Sequence, residues 1–296
     1  MGSGDSRESA EKSAFTNLVG IFGMNIQVDQ KVSESYEEAV KSGAAAVWLQ
    51  NTVANTNIIT STTLDSLVGA ETGEVWPDGR GFYYAVAVLN KAKAAQIYTD
   101  KIKANQAMID NLVAMSEAEK NTMDGYARYK FAAVIADISV SYGNLLSVIG
   151  KPLNMKKGDD YRLEARNIAT SIPISLSVKN DRSGRIEGAF AKALSELGFR
   201  SSGGNSRYAL DVNIVTSPVD LPGSQNVFTR IEMNANLTDT ATRAVLVPFS
   251  FSGREGHNSQ AEADNRAYAA AERKINQDYP GLLDSYLSSL LPTKKP

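Results

Sequence analysis

Two hydrophobic periods, one helical and one alternating, divide this chain into elements. From Asp5 the apolar residues Ala10, Ala14, Phe15, Leu18, Val19 and Phe22 recur at helical spacing. They predict an amphipathic helix, with Asp5 and Glu8 spaced as a capping pair and Gly23 as its stop. Met24 to Val32 then alternates as a strand with one wet face would. The charged residues 33 to 43 lead into Ala44 to Ile59, where β-branched content favours strand, and Leu64 to Val75 predicts another short one. Val75 to Tyr98 joins three signals without a gap. Trp76 and Pro77 enter a turn at Asp78-Gly79, Phe82 to Leu89 is an aromatic and β-branched strand, and Asn90 is placed to cap an Ala/Lys-rich helix.

Ala94, Ile97, Ile102, Met108, Ile109, Leu112 and Met115 keep helical spacing to Ser116, which forms a capping pair with Glu119. A second helix over Tyr126 to Ile149 completes a helical hairpin. Asp137, Ser139, Ser141 and Asn144 interrupt that apolar run, which favours a buried core helix over a membrane span of about 20 apolar residues. Gly150 to Asp160 reads as a linker. Beyond it Ile168 to Val178 alternates as a strand, with Pro173 suggesting an edge or a bulge. Ile186, Phe190, Ala193, Leu194 and Leu197 share a helical face closed by Gly198. Strands follow over Tyr208 to Ile214, Ile231 to Leu237 and Val245 to Phe251, with a turn at Asp239-Thr240. Ser259 and Glu262 cap a long Ala-rich helix that Pro280 is expected to break. The expectation is an α+β chain with two small antiparallel sheets and packed helices, joined by a helical hairpin. Its divisions are an α+β domain over 1–90, the hairpin over 91–150, a linker over 151–160 and a β-α-β-β-β-α domain over 161–296.

Composition narrows the chemistry. The 296 residues carry a formal net charge of -2, which leaves no field to attract a phosphate backbone, so nucleic acid is not expected as a partner. There is no cysteine, which excludes disulfides, thiolate metal sites and cysteine nucleophiles. With a single histidine, His257, and no G-x-S-x-G elbow or H-E-x-x-H pair, any acid-base or metal chemistry that uses histidine must centre on that residue. The nearest approach to a phosphate loop, Gly143 to Pro152, has the wrong spacing and Pro in place of the hydroxyl.

The N-terminal region resembles the LPP-twenty lipoprotein family of bacterial cell-envelope proteins, whose N-terminal domain is similar to that of a flagellar assembly protein. The resemblance rests on the Ala-spaced helix after a glycine-containing start, on Ser66 to Gly69, and on the W-x-D-x-x-G-x-Y-Y-A-x-A-x-L block from Trp76 to Leu89. It covers about residues 3 to 100. It implies a setting on the periplasmic face of the outer membrane, an envelope protein or cell-wall partner, and no catalytic residue or cofactor. Membrane attachment would come only through an N-terminal lipid anchor, for which this sequence carries no cysteine; Met1 to Gly4 read as an initiator with added residues.

One polar constellation stands out where a strand end meets a helix start, G-R-E-G-H-N-S-Q-A-E-A-D-N-R from Gly253 to Arg266. Arg254, Glu255, His257, Glu262 and Arg266, with Asp264, form a candidate anion or ligand site, and His257 with Glu262 a candidate acid-base or metal pair. The competing reading is a tight glycine turn and a capped helix whose Glu262 and Arg266 pair four apart. Tyr83, Tyr84, Trp76 and Trp48 pose a similar choice between a stacking platform and sheet packing. The expected role is that of a structural, assembly or adaptor component without catalysis. The alternatives are a small-ligand or glycan-binding protein using an interdomain cleft, and a hydrolase or metal-assisted enzyme centred on His257.

Overall fold

The computed structural model describes residues 1–26 and 69–291, with side chains to residue 20 in the first stretch. The strand expected over 44–59, the first part (64–68) of that expected from Leu64 to Val75, the segment Gln50 to Asn57, Trp48, and most of the strand expected from Met24 lie outside these residues. Numbered among the described residues, the elements are β1 (Gly2–Gly4), α1 (Arg7–Ile26), β2 (Ala70–Pro77), β3 (Tyr83–Leu89), α2 (Lys91–Val113), α3 (Glu117–Lys120), α4 (Met123–Val148), α5 (Gly158–Ser171), β4 (Pro173–Lys179), α6 (Arg185–Glu196), β5 (Arg200–Ser202), β6 (Tyr208–Val219), β7 (Val227–Asp239), β8 (Ala244–His257) and α7 (Gln260–Ser289). The fold is α+β, with one sheet of three strands and one of five. Contacts gather the described parts of Met1–Met115 with Arg128–Leu163 into one unit, and Ser116–Ala127 with Glu164–Leu291 into a second. Residues 151–157 carry neither helix nor strand.

In the first unit the sheet order is β1-β3-β2, antiparallel throughout. The hairpin turn forms where Asp78-Gly79 predicts it. Asp78 Oδ1 accepts from the backbone N–H of Arg80 at 2.7 Å and of Phe82 at 3.1 Å, and Gly79 and Gly81 supply the positive φ that the reversal needs. Ala10 and Ala14 of α1 pack on Ala85 of β3, small residues that let helix and sheet approach closely. Helix α1 corrects two expectations. Its first turn is capped by Ser6, whose Oγ accepts from Ser9 N at 3.1 Å, and it runs through Gly23 to Ile26, taking in the start of the strand expected from Met24. Asn90 caps α2 as expected, accepting from Lys93 N at 3.0 Å. Ser116 and Glu119 form a full capping box on α3.

Helix α4 is long and apolar enough to cross a membrane, yet 56% of its apolar window is buried in the protein. Tyr142, Leu145, Leu146 and Ile149 pack with Ala94, Tyr98 and Ile102 of α2 and with Val19. Three of its serines are satisfied locally: the Ser139, Ser141 and Ser147 hydroxyls each donate to the carbonyl four residues back, and Asn105 Nδ2 donates to Ser139 Oγ at 3.1 Å.

In the second unit the sheet order is β5-β4-β6-β7-β8. The alternating residues Tyr208, Leu210, Val212 and Ile214 and their counterparts Ile231, Met233, Ala235 and Leu237 are buried, with register Leu210↔Leu237 and Val212↔Ala235. Helices α6 and α7 cover that face. Phe190, Phe249 and Tyr279 meet edge to face at centroid distances of 4.9 to 6.2 Å, a geometry that aromatic quadrupoles favour. Three expectations change. Residues 158–171, read partly as strand, form α5, because Tyr161, Ala165, Ile168 and Ala169 bury one helical face. The sheet is mixed, since β4 pairs parallel with both β5 and β6, and Pro173 opens an inner strand at its first residue, where its missing N–H costs little. Pro280 does not break α7, because Tyr279, Leu283 and Leu287 are fully or almost fully buried on either side of it and hold the helix to the core.

Candidate functional site

The turn from Gly253 to Arg266 is built as predicted, from the end of β8 and the start of α7. Arg254, Glu255 and His257 lie opposite Arg230, Thr229 and Val227 of β7. The structure does not gather the six ionisable side chains on one point. The Arg254 guanidinium lies 5.6 Å from the centroid of the Phe228 ring. Glu262 Oε1 is 3.5 Å from Arg266 Nε, a half-exposed pair four residues apart. His257 Nδ1 is 3.5 Å from Ser259 Oγ, and Ser259 starts α7 without a side-chain capping bond. Among the described residues no group of three or more His, Asp or Glu side chains is close enough to hold a metal ion.

Asp264 is the member that acquires a dense environment, from residues the sequence did not single out. Its Oδ1 accepts from Thr229 Oγ1 at 2.5 Å and from Gln260 Nε2 at 2.8 Å, while Gln260 Nε2 also reaches Thr229 Oγ1 at 2.6 Å; Arg182 stands 3.8 Å from Oδ2. Thr229 is 1% exposed, so its hydroxyl is closed to solvent and ties the start of α7 to β7. The neighbouring β4–α6 loop is fixed in the same way. Asn180, at φ 66°, donates from Nδ2 to Ile214 O at 2.9 Å and accepts from the Tyr268 hydroxyl at 2.7 Å. Asp181 Oδ2 accepts from the N–H groups of Ile186 and Glu187, occupying the first donors of α6. Only the Asn-Asp-Arg-Ser-Gly run at 180–184 signalled a polar turn in the sequence; its partners come from β6, α6 and α7.

Two further charged sites are structural in geometry. In the first unit, Asp137 of α4 meets Arg162 of α5 and accepts from Gly158 N at the start of α5. Burial pushes its carboxyl above the usual range, against the opposing pull of Arg162. In the second, burial works against the Asp239 carboxylate, but Arg207 at 3.1 Å and the N–H groups of Ala241 and Thr242 outweigh it and hold the pKa below the usual value. The aromatic question divides by face: Trp76 and Tyr84 are direct cross-strand partners, stacked at 6.0 Å, while Tyr83 packs toward Ala10 and Ala14.

No family model matches the chain, and no curated protein does. Solved structures do. The secreted protein HP1454 from Helicobacter pylori aligns over 94% of this chain and 96% of its own, at 17% identity and a TM-score of 0.42. A putative lipoprotein from Caulobacter crescentus aligns over 40% of this chain and 93% of its own, at 20% identity and a TM-score of 0.30. A minor lipoprotein from Acinetobacter baumannii aligns over 42% and 96%, at 18% identity and 0.28. These neighbours are bacterial lipoproteins and a secreted protein. At such identities and scores the likeness assigns no site and no activity.

Proposed function

We propose that this protein is a non-catalytic component of the bacterial cell envelope, with a structural, assembly or adaptor role on the periplasmic face of the outer membrane. The observation that carries the reading is the distribution of partners around the Gly253 to Arg266 turn. The charged groups that make contacts there bond within the fold: Arg254 to a ring, Glu262 to Arg266, and Asp264 to Thr229 and Gln260. A catalytic or metal pair would need His257 and Glu262 to converge on one point, whereas His257 reaches Ser259 and Glu262 reaches Arg266. The Trp76 to Leu89 block supports the envelope setting. The resemblance rests on it, and it forms a hairpin packed on the alanine face of α1.

Thermal melts with added Zn²⁺, Mn²⁺ or Ca²⁺ test this. Metal bound only by the folded state raises stability as RT ln(1 + [L]/Kd), so a site would give a saturable rise in Tm. The expected result is no saturable rise, with His257→Ala and Glu262→Gln each costing no more than about 0.5 to 2 kcal/mol, as a surface pair or cap would. A saturable rise that vanishes in His257→Ala would overturn the non-catalytic reading.

A further inference from the structure

The helix-free face of the five-stranded sheet carries an unusual set of residues. Asp211 and Asn213 of β6 stand directly opposite Asn236 and Asn234 of β7, and all four are exposed, on two inner strands. Asn and Asp are depleted from strands, because their short side chains compete for backbone groups in turn conformations. A solvated face needs only polarity, which Thr, Lys or Glu supplies at lower cost. Among the described residues none of the four side chains makes a hydrogen bond that would account for its presence. Ser177 and Lys179 of β4 extend the two rows on one side, and Pro248 and Ser250 of β8 on the other. The rows thus read Ser177, Asp211, Asn236, Pro248 and Lys179, Asn213, Asn234, Ser250.

We propose that this face binds an uncharged, hydroxyl-rich polymer, a neutral glycan chain. Asp211 and Lys179 cancel in charge and the other groups in the two rows are neutral, so this block, set apart from the Glu232 row and the Arg230–Arg254 row further along the face, complements neither a polyanion nor a polycation. Amides offer donors and an acceptor together, which is the pairing that sugar hydroxyls require. Across the strands the groups recur every ~4.8 Å, on the scale of one sugar ring in an extended chain, and Pro248 ends its row with an apolar ring against which a sugar C–H face can lie. The proposal stands on this face alone, so its failure would leave the envelope reading intact, and the metal melts above do not bear on it.

The test is titration of the full chain with hexa-N-acetylchitohexaose and with cellohexaose, followed by calorimetry and by the side-chain amide signals of Asn213, Asn234 and Asn236 in NMR. A heparin-derived hexasaccharide serves as the anionic comparison. Saturable shifts of those amides with a neutral oligosaccharide are expected. In the variant Asn213→Thr/Asn234→Thr/Asn236→Thr affinity should fall at least about 10-fold while Tm stays level or rises by roughly 2 to 6 °C, because threonine suits a strand better. The proposal is overturned by the absence of saturable shifts with both neutral ligands, by unchanged affinity in the variant, by tighter binding of the anionic ligand, or by a variant of lower Tm. Should the triple variant fail to fold, Asn234→Thr alone gives the same readout.

Discussion

Replacing Gly158 by alanine should destabilise the first unit, although the same change at Gly188 should stabilise the second. Gly158 is buried at the first residue of α5, where a Cβ would run into the Asp137 carboxylate and come within 2.7 Å of the Ala133 carbonyl oxygen. Neither can give way. The carboxylate is held by Arg162 and by Gly158 N, and the carbonyl belongs to the backbone of α4. The start of α5 must therefore withdraw. Overpacking of this kind costs about 1 to 3 kcal/mol, and weakening a hydrogen bond to a charged group about 1.5 to 3 kcal/mol. Higher helix propensity of alanine returns at most about 1 kcal/mol, less at a first helical position. A net loss of about 1.5 to 6 kcal/mol follows. Gly188 lies inside α6 with nothing within 4 Å of the place an added methyl would occupy, so there only the propensity and chain-entropy gain of about 0.4 to 1 kcal/mol operates. Urea denaturation followed by circular dichroism measures both, and tryptophan fluorescence follows the first unit, which holds Trp76. Since Asp137 is one of the atoms displaced, Gly158→Ala and Asp137→Ala should be strongly non-additive. A change at Gly158 within 0.5 kcal/mol of that at Gly188 would refute the reasoning.

Two further outcomes are expected. Because the folded state holds the Asp239 carboxyl below its ordinary pKa, its contribution is present above the unfolded value of about 4 and is lost as pH falls through the lower folded value; Asp239→Asn should lower Tm at neutral pH and flatten the acid limb of a Tm against pH curve. Pro280 sits inside α7 without an N–H to donate, so Pro280→Ala should stabilise by about 1 to 3 kcal/mol in denaturant melts, and a loss would mean that the ring itself is packed.

The elements legible in the sequence are those whose pattern is local and whose burial is one-sided. Tyr208 to Ile214 and Ile231 to Leu237 alternate because one face of β6 and β7 meets helices and the other meets water. The Asn90 cap and the Ser116–Glu119 box were legible because each is completed within four residues. Helix α5 was masked by its neighbour. Its helical positions Tyr161, Ala165 and Ile168 run into Ile172, Ile174, Leu176 and Val178, whose even spacing is the stronger signal and pulls the strand boundary backward. Parallel pairing of β4 and the continuity of α7 through Pro280 depend on tertiary packing, which no local period records. At the candidate site, the turn and the Glu262–Arg266 pair could be read from spacing, but Thr229 and Arg182 could not, being brought to Asp264 from 35 and 82 positions away in the chain.

The strand at the very start of the chain bears on how this protein can be handled. Gly2, Ser3 and Gly4 pair with Ala85, Tyr84 and Tyr83, and a side chain at Gly2 would collide with the backbone at Ala14, so these residues are part of the sheet. Trimming them to obtain a tidier N-terminus would turn β3 from an inner strand into an edge. A row of unpaired N–H and C=O groups would then face solvent beside Tyr84 and Val86, a ready template for another chain in a concentrated preparation.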